Sequence, residues 1–184
     1  MLIILRRRLR ELIRDERGVS AVEFAIIAPV LIAFYLGLAE ACQAYMAQKR
    51  MGHATAMVAD LTAQESTVNP TTVGQFFAIG GLIMKPYSAA TLNLRVSSVT
   101  RDANGIDKVD WSVGRGMTVL RKGTVLPIPA GVIDNGQSIV VSEAAYDYDS
   151  PVDYVMPGIT RFSHIYYLRP RTSEKTECPT CPIS

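Results

Sequence analysis

The sequence is poor in the residue types on which most enzyme chemistry depends. Its 184 residues include two histidines (His53 and His164), three cysteines and one tryptophan. So few histidines exclude most His-centred hydrolases and His-rich metal centres. No Gly-rich phosphate loop, no Gly-x-Ser-x-Gly elbow and no His-Glu-x-x-His helix occurs in the chain. Charged residues make up only 20% against 48% hydrophobic, which excludes a disordered chain. Thirteen glycines and ten prolines without a triplet period exclude a collagen. A formal net charge of +2 lacks the clustered basic face of a nucleic-acid binder. There is no internal repeat and no low-complexity segment. The length fits one ordinary domain, or a smaller domain with an anchor.

The charge that is present is placed unevenly. Residues 1–18 hold six arginines (Arg6, Arg7, Arg8, Arg10, Arg14, Arg17) against Glu11, Asp15 and Glu16. Removing these from the totals of 19 and 17 leaves 13 basic and 14 acidic residues over 19–184. A basic head on a near-neutral body is the pattern of a membrane-oriented N-terminus. Behind the head, Phe24 to Ala39 carries no charge. That run covers roughly 24 Å as a helix, and the stretch from Val19 roughly 32 Å, about one hydrocarbon thickness. The arginines before it, and no basic residue after it until Lys49, predict a cytoplasmic N-terminus and an exported remainder. The apolar run is long for a cleaved secretory signal, and Ala39-Glu40-Ala41 is a poor small-x-small site.

Glu23 is what a plain signal anchor leaves unexplained. A carboxylate at the membrane centre costs on the order of 2.5–3.5 kcal/mol, and less near the edge, so it calls for a partner. Gly18 lies five residues before it, directly after Arg14-Asp-Glu-Arg17. A cut after Gly18 makes Val19 a new amino terminus and Glu23 the fifth residue of the mature chain. An ammonium and a carboxylate at that spacing can pair within one helical turn, or between neighbouring subunits.

Arg17-Gly18 followed by Val19-Ser-Ala-Val-Glu23-Phe24-Ala-Ile-Ile-Ala-Pro29 resembles the N-terminus of type IV prepilins. It is most similar to the TadE-like proteins (pseudopilins or minor pilins) of the tight-adherence, or Flp, pilus systems. The resemblance spans roughly residues 14–65 and includes Gly37-Leu-Ala-Glu40 and Tyr45. It implies that Gly18 precedes the cut made by a prepilin peptidase, that Val19 is the mature N-terminus, and that Glu23, Phe24 and Pro29 belong to the assembly helix. It further implies a non-enzymatic subunit without cofactor or metal, acting in assembly or initiation of a pilus and so in surface adhesion. The implied partners are the prepilin peptidase, other pilin and pseudopilin subunits, the inner-membrane assembly platform and membrane lipid, with no nucleic acid. The implied location is the bacterial inner membrane, single-pass, with the C-terminal domain periplasmic or carried into the pilus.

Downstream, Glu40 to Gln64 contains no proline and one glycine, and Ala47, Met51, Ala54, Val58 and Leu61 recur at helical steps. A continuous helix from about Ser20 to Gln64 would be roughly 67 Å long, bare and apolar in its first half and packed on a domain in its second. Pro29 should bend the first half. Ala21, Ala25, Ala28, Ala33 and Gly37 would allow close approach of neighbouring helices. Asn69-Pro-Thr-Thr opens a shorter helix, about Thr72 to Leu82, with Gly80-Gly81 and Pro86 as its terminators. From Ala90 the period changes to two. Strands are expected at Leu92–Val96, Ile106–Val113, Gln137–Tyr148 and Arg161–Leu168, with Asp102-Ala-Asn-Gly105 as a turn. The order predicts an α+β fold, a long N-terminal helix and then a small antiparallel β-meander domain, as type IV pilins have. The chain divides into a basic leader (1–18), a transmembrane or assembly helix (19–39), an exported amphipathic half (40–66) and a periplasmic α+β domain (67–184).

The remaining candidates are bland. Cys178-Pro-Thr-Cys181 is a Cys-x-x-Cys, but Pro179 and Pro182 leave no helix to lower a thiol pKa, and one pair supplies only two of four zinc ligands. In an exported tail a small disulfide is the favoured reading, over free thiols and over a redox or metal site. Cys42 reads as a buried small helix residue. His53 falls on the polar side of its helix, and His164 reads as an ordinary strand residue. The acids of Tyr146-Asp-Tyr-Asp149 and Asp153 lack calcium-loop spacing and read as a solvated turn. The competing function is an uncleaved signal-anchored periplasmic domain that binds an envelope partner or ligand. It needs neither Gly18 nor Glu23.

Overall fold

In a computed structural model, which describes residues 18–150 and 158–181, Val19–Gln64 forms one α-helix, α1. Alanines and unbranched side chains sustain its second half, and the helix continues through Pro29. A stripe of Glu40, Ala44, Ala47, Met51, Ala54, Thr55, Val58, Ala59, Thr62 and Ala63 is buried. Leu61, expected on that stripe, is only half-buried, and Thr55 and Thr62 replace it. Their hydroxyls donate to the carbonyls of Met51 (2.7 Å) and Val58 (2.8 Å) four residues back, so their burial leaves no donor unmade.

The second helix, α2 (Pro70–Ile83), starts where Asn69 Oδ1 accepts from Thr72 N at 2.9 Å, with proline at the first helical position. It does not end at the glycine pair. Gly80 is buried, and a Cβ there would lie 3.1 Å from Val58 Cγ2 and 3.4 Å from Leu94 Cδ1. The missing side chain lets α2 close on α1, so at this position glycine serves packing and does not terminate the helix.

Four antiparallel strands follow: β1 (Leu92–Arg101), β2 (Asp107–Arg115), β3 (Ser138–Asp149) and β4 (Ile159–Leu168). Their order in the sheet is β2-β1-β3-β4. The α+β antiparallel architecture stands as read, with β3 beside β1 and not beside β2. The reason lies at the outer edge of β2, where residues 123–126 take the ladder positions beside Asp107 and Val109. A bulge between Ser98 and Val99 of β1 admits Asp110 on β2 and so places Val109 and Trp111 on opposite faces.

One face of the sheet packs under α1 and α2, with Met51, Val58, Phe77, Leu94, Val96, Trp111 and Tyr146 in a common core. The other face carries Val99, Val109, Ile139 and Val141, covered by Ile128 and Ile133 of the long β2–β3 connection. Arg101 and Asp107 hold that connection. The guanidinium donates to both carboxylate oxygens (2.7 and 2.9 Å) and to Ile133 O, while Asp107 accepts from Ile128 N at 2.9 Å. The Arg101 guanidinium keeps the Asp107 carboxyl below the usual carboxylate range, against the opposing effect of burial.

Tyr146-Asp-Tyr-Asp149 is the end of β3 and not a solvated turn. Tyr146 and Tyr148 point into the core, and the aspartates alternate outward. Asp153 lies outside the described residues.

Candidate functional site

The most distinctive surface of the protein is the first half of α1. Its most apolar 18-residue window has no buried residue, and Phe24, Phe34 and Tyr35 are each about 70% exposed. By length and composition this helix can cross a membrane, consistent with a single-pass anchor. Beyond it burial begins on one side of the helix. Ala39 is half-buried and Glu40, Ala44 and Ala47 are buried, while Ala41, Cys42, Gln43, Tyr45 and Met46 stay exposed. The apolar half thus continues into the packed half of the same helix without a linker.

Gly18 stands at the helix N-cap with φ −91° and makes no side-chain cap. A Cβ added there would meet nothing within 4 Å, so neither backbone conformation nor packing among the described residues requires glycine at this position. Val19 begins the helix, and Glu23, one turn further, is exposed together with Phe24 and Pro29. No described residue forms an ion pair with Glu23. The arginines of residues 1–17 fall outside the described residues.

Cys178 and Cys181 are joined by a disulfide, with Cα atoms 5.4 Å apart. Cys181 is buried in the helix-facing core. The tail that leads to them caps the far end of α1. Arg171 N donates to Ala63 O (2.8 Å), Thr172 Oγ1 to Gln64 O (2.6 Å) and Thr176 Oγ1 to Glu65 O (3.1 Å). Glu177 N then donates to Ser66 O (2.9 Å), and Trp111 Nε1 to Thr176 O (2.8 Å). Carbonyls that a helix end would leave open are therefore satisfied by the C-terminal tail. Alkylation without reductant should label neither Cys178 nor Cys181, and both should react after reduction. Immediate labelling of both in freshly isolated material would contradict the bond. The direct entropic contribution of so short a loop is small, because the chain-entropy term grows with loop length.

Cys42 is exposed, contrary to the expectation of burial. Two residues beyond the buried Glu40 means about 200° around the helix, which carries Cys42 to the face away from the sheet. His53 is exposed as read, and the His164 ring lies where a Cβ on Gly52 would be 3.8 Å from it. Among the described residues no three His, Cys, Asp or Glu side chains converge as metal donors. Glu40 was not singled out as a core residue by its sequence, because a carboxylate at a helical step gives no sign of burial.

These features define a class: a membrane-length apolar helix running without a joint into a small α+β domain. Residues 18–60 match the model of the family described as TadE, TadE-like protein. The match begins at Gly18 and covers both the exposed apolar half and most of the packed half. No curated protein and no solved structure matches the chain.

Proposed function

We propose that the protein is a non-enzymatic pseudopilin or minor pilin of a Tad-type pilus, cut after Gly18 by a prepilin peptidase. Under this reading, residues 1–18 are a leader, 19–39 enter the membrane and then an assembly, and 40–184 form the exported portion. The observation that carries it is the exposed apolar half of α1, headed by a glycine that no described residue requires and bearing Glu23 at the fifth mature position. A helix of that kind must be covered by lipid or by other subunits, since it buries nothing within its own chain. The TadE-like match over residues 18–60 supports a connection to pilus components in general. Gly18, Val19 and Glu23 give the connection a chemistry, because cutting creates the ammonium that offsets the carboxylate. The peptidase, companion pilins and the inner-membrane platform are the partners this reading assigns.

The test is genetic. Removing the chain from its host should abolish surface pili counted by electron microscopy, and re-expression should restore them. Normal piliation in its absence would contradict the proposal and favour the uncleaved, signal-anchored domain.

A further inference from the structure

We propose that the Cys178–Cys181 disulfide is a redox latch: reduction by a dithiol unseats residues 171–181 from the end of α1 and from Trp111, and reoxidation seats them again. The latch lies within the described domain and works the same way whether or not the chain is cut after Gly18.

The tail is a strap with many polar contacts and one apolar anchor. Besides its bonds to the carbonyls of residues 63–66, Glu177 O accepts from Val68 N at 2.8 Å. Two ion pairs, Arg171–Asp60 and Lys175–Asp110, are 2.6 Å long but lie partly in solvent, so they hold the strap weakly. From Arg169 to Cys181 the only apolar side chains are Pro170, Pro179 and the two cysteines. Cys181 is buried in the helix-facing core, and Cys178 packs against the same core. Trp111 belongs to that cluster too, and its Nε1 donates to the carbonyl of the buried Thr176. The sulfurs and the indole therefore share one apolar cluster at the end of α1.

The bond makes the two sulfurs a single apolar unit. It closes the turn in which Cys181 N donates to Cys178 O at 3.3 Å, and that turn brings Cys181 back into the core. Once the sulfurs part, residues 178–181 regain backbone and side-chain freedom. The strap then has to meet that ordering cost with hydrogen bonds that water can replace. Chain ends held by few apolar contacts open first. A bond that closes so short a loop adds little to the stability of the whole domain, so its effect is confined to the strap.

The bond is reached from one side. A cleft of about 230 Å³, whose lining includes Trp111, Lys122, Cys178 and Pro179, opens beside the half-buried Cys178, whereas Cys181 is buried. A thiolate of the dithiol attacks Cys178 Sγ, forms a mixed disulfide there and expels the Cys181 sulfur, which takes up a proton. The second thiol of the reductant then displaces Cys178, which is protonated in turn. The dithiol leaves as a disulfide, and its two electrons stay with the protein as two thiols. The released strap leaves the last carbonyls of α1 uncapped and the Trp111 indole without its acceptor.

Hydrogen exchange read by mass spectrometry on the full chain in detergent micelles tests this, in a Cys42→Ser background that removes the third thiol. Complete reduction by dithiothreitol is checked by the protein mass after alkylation in denaturant. It should speed exchange of residues 171–177 and of Val68 about tenfold or more, while exchange in β3 stays as it was. The emission of Trp111, the only tryptophan, should shift to the red, and reoxidation should reverse both changes. A Cys178→Ala, Cys181→Ala variant should show the released strap without reductant and no response to it. Strap exchange and Trp111 emission unchanged after complete reduction overturn the latch. Faster exchange throughout β3 overturns it as well, because the bond would then hold the whole domain.

Discussion

Glu23→Ala should leave a processed, membrane-inserted and folded protein that no longer assembles. The carboxylate lies one helical turn from Val19, exposed on a helix half whose most apolar window has no buried residue. Removing it takes nothing from the core, so the stability of the exported domain should be unchanged. Membrane preference should rise slightly, since an apolar residue replaces a charge whose insertion at the bilayer centre costs on the order of 2.5–3.5 kcal/mol. Association between subunits is what should fail. Glu23 is an unsatisfied charge inside an apolar contact unless a cation faces it, and the ammonium of Val19 on a neighbouring subunit is such a cation. Breaking one side of a desolvated pair leaves the other uncompensated, so the loss should be large. Surface pili should fall to the level of cells lacking the chain while mature protein accumulates in the membrane. Normal piliation with Glu23→Ala would reduce the glutamate to a tolerated edge residue.

Gly18→Val should block maturation without touching the fold. A Cβ at this position meets no atom of the described residues within 4 Å, and its φ of −91° is open to any residue. On the proposed reading, the effect of the substitution falls at the step where a peptidase has to fit the backbone around the cut. The unprocessed protein should accumulate at full length, and Trp111 should remain buried with Cys178–Cys181 still bonded. Without a free Val19 ammonium, Glu23 loses its counter-charge, so this variant should reproduce the assembly defect of Glu23→Ala. Equal maturation of Gly18→Val and wild type would remove the reason for assigning the cut here.

The long helix was readable because two independent patterns meet in it. An uncharged run declared the first half, and three- and four-residue spacing declared the second. The strands were readable from alternation, as in Leu92, Leu94 and Val96, with most boundaries displaced by one or two residues and β1 running on past Val96 to Arg101. What escaped depends on contacts between distant segments. Gly80 looks like a helix terminator until Val58 and Leu94 are seen pressed against it. Tyr146 and Tyr148 alternate inward, but the aspartates between them give the stretch the composition of a loop. The capping of α1 by residues 171–177 has no periodic signal, because those residues act through backbone groups and hydroxyls more than a hundred positions away. Glu40 carries the same lesson for charge, since burial of a carboxylate is decided by what surrounds it in the fold. Of the candidate site, the order Gly18, Val19, Glu23 is legible in sequence alone. Its exposure, and the open space around Gly18 among the described residues, are visible only in three dimensions.

The central claim is that the chain matures by losing its first 18 residues. Intact-mass spectrometry of the protein purified from membranes of cells with an active prepilin peptidase tests it most directly. The account predicts a species of 166 residues, 184 less 18, whose first residue is Val19. A mass corresponding to all 184 residues, in cells that process their other prepilins, would contradict it.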